Sequence, residues 1–479
     1  MSMQHRSLAI LLTLAAAVTA VAQDNRPIAF TNARLVPISG PVIDGGTLVV
    51  KNGKIEAIGK DTPVPPGARV IDASGKTILP GLVSAWSRAG LQPAQPRFEE
   101  PAGGRRRGGG MQMPQMGGGG GTQNRAATKV VDGLYAKQTV FGELLRLGVT
   151  SRALNPAGGG FPGLGAVLRP DGKTIEQLTG DDSAFVQVGM VRDGATKKLL
   201  KENFDKAKKL VEERKKPPEQ PAPAAAAPAA PEKPAGDKPA EAKEPPKGDQ
   251  PPKPEPKPEP KPEPKPEDKK EPPQGQAPAA PPAAAKKPEA PKDPNLEVLA
   301  DLLEGKRRAL VQIDCGADLL HWQTAVADDV KFPRVVVVPR HDNTAGTVDA
   351  VLDQLKAMQC SVLLSPDLAT QPRSRMLVHP AKQLHDAGIE VGFVIGDQPQ
   401  ALRFLFFRLM ELVRYGLPAD VALRGVTLVP AKALGIDKRT GSLEVGKDAD
   451  LLIFQGDPMQ PTGQLEAVWL GGREVPQQP

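Results

Sequence analysis

The sequence predicts an α/β fold: a (β/α)8, TIM-like barrel with a discontinuous β-sandwich domain built from both chain ends. Three observations carry this. Eight short apolar segments alternate with helical stretches through the middle of the chain, and eight strands are the number that closes a barrel. Both chain ends are instead rich in short strands punctuated by Gly. The length, 479 residues, suffices for one barrel with an accessory domain.

In chain order, Leu48–Val50 and Ile55–Ile58 flank Lys51-Asn52-Gly53-Lys54. Asn-Gly between apolar runs predicts a hairpin, because both residues accept positive φ. Ser74-Gly75 marks a turn before a strand at Ile78. The barrel strands are read at Ile78–Ser84, Val149–Ala153, Gly165–Arg169, Ala184–Val188, Ala309–Ile313, Arg334–Val338, Ser361–Leu364 and Glu390–Ile395. Val335–Val338 is apolar throughout, as a parallel strand covered on both faces should be. Leu199, Leu200, Phe204, Ala207, Leu210 and Val211 share one helical face, and Leu402, Leu405, Phe406, Leu409 and Val413 share another. Asp293-Pro294 reads as an N-cap and first helical residue, opening a helix that stops at Gly305. Segments 441–454 and 465–475 return to alternation with Gly turns. The boundaries follow: 26–79 and 436–476 form the sandwich, and 80–430 the barrel.

Two inserts interrupt the barrel, at 95–125 and 217–291, and both are expected to be disordered. The first holds Arg105-Arg106-Arg107 among many Gly. It follows the first strand, so it should hang near the mouth, as a loop or a lid. The second carries Lys-Pro-Glu-Pro repeats with almost nothing apolar to bury. It reads as a spacer contacting the cell envelope, or as a neutral insertion.

The formal charge is +7, but aromatics make up only 4% of the chain. Stacking platforms for nucleic acid are therefore not expected, and nucleic acid is excluded as a partner. Residues 1–22 read as a signal peptide: His5 and Arg6, an apolar run Leu8–Ala17, and Ala20-Val21-Ala22 as the cleavage site. The protein is expected to be exported, to the periplasm or outside the cell, with no transmembrane segment. Export permits a disulfide between Cys315 and Cys360, but spacing does not decide between a bridge and two buried thiols.

Three blocks resemble the amidohydrolase superfamily, especially its imidazolonepropionase-like branch. They are Gly53-Lys54-Ile55 through Pro80-Gly81, Leu145 through Gly148-Val149-Thr150, and Thr427 through Gly435 followed by Gly441–Leu451. The resemblance implies one or two divalent metals at the C-terminal strand ends. There the metal lowers the pKa of a bound water, and an Asp after the eighth strand takes the proton. It places a His-x-His pair after the first strand, where this chain has Trp86 and Arg88. Indole has no free lone pair, and guanidinium is a fixed cation that repels Zn²⁺. The fourth strand ends Val188-Gly189-Met190, without Lys or Glu, and the fifth puts Gln312 or Asp314 where a His should stand. His341 matches the His after the sixth strand, and Asp397 matches the catalytic Asp. His341 and Asp397 are thus the metal-ligand candidates, Asp397 is the catalytic candidate, and Trp86, Arg88 and Gln312 are lost-ligand positions. Asp397 also reads as a helix cap or as the ion-pair partner of Arg88. His321, His379 and His385 read as packing or surface residues, and the Gly-rich run 158–163 as structural.

The expectation is an exported member of this family, acting by resemblance on non-peptide C–N bonds, but inactive or strongly altered. No cofactor is expected. A divalent metal such as Zn²⁺ is expected only if a reduced hydrolase site works. The alternatives are that reduced metal-dependent hydrolase, or a non-catalytic envelope binding or scaffold protein with a Pro-Lys-Glu spacer. The expected partner is a second copy or a homologous amidohydrolase.

Overall fold

The computed structural model describes residues 26–91, 123–216, 292–326, 330–339, 348–371 and 373–477. The predicted signal peptide and the cores of both inserts lie outside these residues.

Strands from both chain ends build the first sheet. They are β1 (Ile28–Leu35), β2 (Ile43–Lys51), β3 (Lys54–Gly59), β4 (Arg69–Asp72) and β5 (Lys76–Pro80), then β16 (Leu451–Gln455), β17 (Gln464–Leu470) and β18 (Arg473–Glu474). The order is β18-β17-β16-β5-β1-β2-β3, with β4 beside β1. Asn52 and Gly53 both take positive φ, 51° and 78°, and turn β2 into β3 as their sequence predicts. Strand β1 changes partner along its length. Residues 28–31 run beside β4 and residues 34–35 beside β5, and the break falls at Asn32, whose φ is 59°. Phe30, Leu48, Ile55, Ile78, Leu451 and Trp469 fill the interior of this region.

The second sheet consists of β6 (Leu82–Ser84), β7 (Val149–Leu154), β8 (Gly160–Leu168), β9 (Thr179–Gly189), β10 (Ala309–Gln312), β11 (Arg334–Val338), β12 (Val362–Leu364) and β15 (Val391–Phe393), in the order β15-β12-β11-β10-β9-β8-β7-β6. A small hairpin, β13 (Ala369–Thr370) with β14 (Leu377–Val378), stands between β12 and β15. The helices are α1 (Val140–Arg146), α2 (Ile175–Leu178), α3 (Gly194–Lys215), α4 (Pro294–Leu303), α5 (Gly316–Ala325), α6 (Leu352–Ala357), α7 (Pro380–Asp386), α8 (Pro399–Arg403), α9 (Leu405–Arg414), α10 (Ala419–Gly425) and α11 (Leu428–Leu434). Asp293 caps α4 by accepting from Asn295 N, as read from the sequence.

Three features depart from the sequence reading. The segment read as one strand over Ile78–Ser84 is two strands in two sheets, divided at Gly81. A Cβ at Gly81 would lie 2.1 Å from Thr150 Oγ1, so only Gly lets the chain cross there. Strand β8 runs antiparallel to both β7 and β9, because the links, residues 155–159 and residues 169–178 with the one-turn α2, are too short for the crossover that a parallel pair needs. Finally, β6 and β15 do not pair. The chain between α10 and α11 lies at that edge, where Val426 O accepts from Val83 N at 3.0 Å. The second sheet is therefore a curled half-barrel of TIM-like type.

Alternation along these strands sorts two cores. Val186, Val188, Val311, Val336, Val338 and Leu364 pack outward against the helices, with Leu200 and Phe204 of α3 and Leu409 of α9. Val83, Ala153, Phe185, Leu310, Val337 and Leu363 face inward and meet Val429, Ala431 and Leu434 of α11. Helix α11 thus fills the curl from one side. Burying one such large apolar side chain contributes about 1.5–3 kcal/mol.

The two sheets join at a buried polar knot. Asp450 accepts from Gly471 N at 2.9 Å and lies 3.4 Å from both Arg169 Nη2 and Thr440 Oγ1. Asp448 takes Arg169 Nη1 at 2.8 Å and Lys54 Nζ at 3.1 Å. Burial pushes the Asp450 carboxyl up, and Arg169 opposes it.

Candidate functional site

The C-terminal ends of β6, β7, β9, β10 and β15 deliver the side chains of the mouth. After β6 the chain runs Ala85-Trp86-Ser87-Arg88-Ala89. Trp86 is only 9% exposed and joins the inward core with Val83 and Ala85. An indole thus occupies the first lost-ligand position. The Arg88 guanidinium lies 5.4 Å from the centre of that ring, a cation–π distance.

Asp397 meets this segment through the backbone. Its Oδ2 accepts from Arg88 N at 2.7 Å and from Ala89 N at 3.1 Å. The reading of Asp397 as a helix cap is corrected by this. Helix α8 starts two residues later and is capped at Gln398 without a side-chain bond, so Asp397 caps the 88–89 amides instead. Its ion pair runs to Arg152, with Nη2 3.7 Å from Oδ1, while Arg88 reaches the carboxylate through its amide.

Arg152 is the residue that sequence reasoning missed. It is fully buried, on β7, with its guanidinium 5.2 Å from the ring centre of Phe141. Nη2 donates to Ser87 Oγ and to Ala89 O, the latter at 2.7 Å. Burial pulls its pKa down, and Asp397 opposes the shift. The available signal was a lone arginine inside the otherwise uncharged strand Val-Thr-Ser-Arg-Ala-Leu. Asn155 extends the network: it exchanges backbone and side-chain bonds with Ser87, both at 2.8 Å, and donates to Gln187 Oε1 at 3.3 Å. Arg152 Nε and Nη1, Gln187 Nε2 and Asp397 Oδ1 are buried without a hydrogen-bond partner among the described residues.

Gln312 stands at the end of β10 and donates weakly to Asp314 Oδ1 at 3.4 Å. Asp314 N is in turn held by Asp318 at 2.8 Å. His341 lies outside the described residues. His379 caps α7 by accepting from Lys382 N, and its other ring nitrogen bonds Leu412 O at 3.0 Å. Burial pulls the pKa of His379 down, and its two ring contacts make it a structural residue. His321 pairs with Lys197 at 2.7 Å. Cys315 and Cys360 are free thiols, and burial pushes Cys360 up to about 11. Open space lies at the other end of the strands. Clefts of about 430 and 270 Å³ border Ser183, Arg307, Arg308 and Pro333, and Arg334, Met358 and Cys360.

The mouth brings Trp86, Arg88 and Asp397 together, with Arg152 added. These donors do not fit a divalent cation. One guanidinium stands on the indole and a second faces the carboxylate, and one oxygen of that carboxylate already takes two amides. Among the described residues no three His, Cys, Asp or Glu side chains converge. A catalytic zinc site usually has three protein ligands.

Residues 322–475 match the Amidohydrolase family. An imidazolonepropionase of Pseudomonas fluorescens is 38% identical over 96 residues, 19% of this chain and 23% of that enzyme. A probable imidazolonepropionase of Mus musculus is 28% identical over 167 residues, 33% of this chain and 37% of that protein. An amidohydrolase structure from Thermotoga maritima superposes with a TM-score of 0.61 at 21% identity, covering 94% of this chain and 99% of that one. The matched stretches span 9–37% of the curated relatives' length. The match to the Amidohydrolase family thus rests on residues 322–475, and the sequence similarity points to its imidazolonepropionase-like branch.

Proposed function

We propose that this chain is an exported amidohydrolase-fold protein whose mouth binds or scaffolds and does not run metal-dependent C–N hydrolysis. One observation carries the reading: Trp86 packs into the inward core at the first ligand position, beneath the Arg88 guanidinium. Hydrolysis in this family needs a metal-bound water, and this mouth has an indole and a guanidinium where two imidazoles would be required. The residues that remain act as a clamp. Asp397 fixes the 88–89 backbone, Arg152 fixes Ser87 and Ala89, and Asn155 joins Ser87 to Gln187.

The sheet built from both chain ends is read here as the discontinuous β-sandwich domain, with 26–79 and 436–476 as its parts and 80–430 as the barrel. Export rests on the 1–22 leader pattern. Among the described residues no helix is long and apolar enough to cross a membrane. A second copy or a homologous amidohydrolase is the proposed partner, and 217–291 the proposed envelope contact.

A second reading, a hydrolase with a reduced site, draws support from Asp397 Oδ1, which has no hydrogen-bond partner among the described residues. The test is turnover of a panel of cyclic amides by the purified chain with Zn²⁺, Mn²⁺ or no metal added, beside Asp397→Asn. The proposal expects no turnover in any arm. Turnover that needs metal and disappears in Asp397→Asn establishes the reduced hydrolase instead.

A further inference from the structure

We propose that α9 and the adjoining β13–β14 hairpin form a docking face for an anionic lipid surface. Phe404, Phe407 and Tyr415 are 58%, 53% and 50% exposed, and Met376 and Leu377 of the hairpin 64% and 51%. Among the described residues, five of the thirteen exposed large apolar side chains thus fall between 376 and 415; Phe404, Phe407 and Tyr415 border one groove, with the two phenyl rings 6.4 Å apart. The core does not use them. Leu405, Leu409 and Leu412 already bury the inner side of α9. The hairpin is held to the helix at its base, by His379 on Leu412 O at 3.0 Å and by Asp367 with Arg408 at 3.4 Å.

The charge around the patch decides what it fits. Arg373, Arg375, Arg403 and Arg414 are exposed, and among the described residues no carboxylate pairs with any of them. On the outward side of α9 only Glu411 opposes them. A second copy brought up two-fold would set arginine against arginine, which disfavours self-association through this face. Aromatic, Met and Leu side chains protruding from a helix and a hairpin tip are suited to the boundary between head groups and acyl chains. Guanidinium groups beside them match phosphate oxygens. A groove of about 580 Å³ bordered by Phe404, Phe407, Arg414 and Pro461 leaves room between the rings.

The test is co-sedimentation of the full chain with vesicles of phosphatidylcholine containing about one-third phosphatidylglycerol, against phosphatidylcholine alone. Wild type is expected to bind the anionic vesicles and to release at high salt. Phe404→Ser with Phe407→Ser, and separately Arg403→Glu with Arg414→Glu, should each weaken binding by about tenfold or more. All chains share every other segment, including the apolar leader, so the difference reports this face alone. A folded Phe407→Trp variant gives a second readout, with emission that should shift to the blue on anionic vesicles. Binding unchanged in both double variants, or no binding by wild type, overturns the proposal. A dimer that the same variants dissociate, without vesicle binding, assigns the face to a protein partner and also overturns it.

Discussion

The joint between the sheets and the mouth of the half-barrel are both built on an arginine facing aspartate, half-buried at the joint and fully buried at the mouth, yet they differ in completeness. At the joint Arg169 meets Asp448 and Asp450, and a backbone amide, a threonine hydroxyl and Lys54 supply further bonds to the two carboxylates. At the mouth Arg152 keeps two nitrogens, and Asp397 one oxygen, without a hydrogen-bond partner among the described residues. The joint sits in the Gly441–Leu451 block that carries the family resemblance, and the mouth sits where that resemblance fails. A finished network holds the scaffold. An unfinished one leaves hydrogen-bonding capacity that solvent or a ligand can take.

The largest effect should come from the joint. Asp450→Ala removes a fully buried carboxylate, leaves Gly471 N and Thr440 Oγ1 without their acceptor and takes one of two carboxylates from Arg169, at a cost of about 3–5 kcal/mol. Urea denaturation measures it, and a loss below about 1 kcal/mol would make the joint no more important than a surface pair. Arg152→Met comes next. It keeps apolar bulk beside Phe141 but drops the bonds to Ser87 and Ala89 and leaves Asp397, itself partly exposed, without its cation. Roughly 2–4 kcal/mol should be lost, with faster amide exchange at residues 87–89. Unchanged exchange there would show that the segment is held by other contacts. Asp397→Asn is the mildest. The amide oxygen can still accept from Arg88 and Ala89, so only the charge opposite Arg152 goes, costing about 1 kcal/mol. A larger loss of melting temperature than for Arg152→Met would reverse the order of importance at the mouth.

Much of the scaffold is legible in the sequence because its signals are local. Asn52-Gly53 needs positive φ, Asp293-Pro294 presents a cap and a first helical residue, and Val335–Val338 needs cover on both faces. The antiparallel course of β8 was not legible, since an apolar strand reads the same in either direction and only the short connections reveal it. Neither was the open edge between β6 and β15, which depends on where α11 packs. At the mouth, Trp86 and Arg88 were visible as foreign to a metal site. Their partners were not, because Asp397 acts on backbone amides, which carry no sequence signature. Arg152 was hidden as one charge in a strand.

The most direct measurement is the metal content of the purified full chain, by elemental analysis before and after incubation with excess Zn²⁺ and gel filtration. With Trp86 in the core and Arg152 against Asp397, neither sample should retain stoichiometric zinc, iron or manganese, and Asp397→Asn should leave the result unchanged. About one equivalent of metal that survives filtration and is lost in Asp397→Asn would contradict this reading of the mouth.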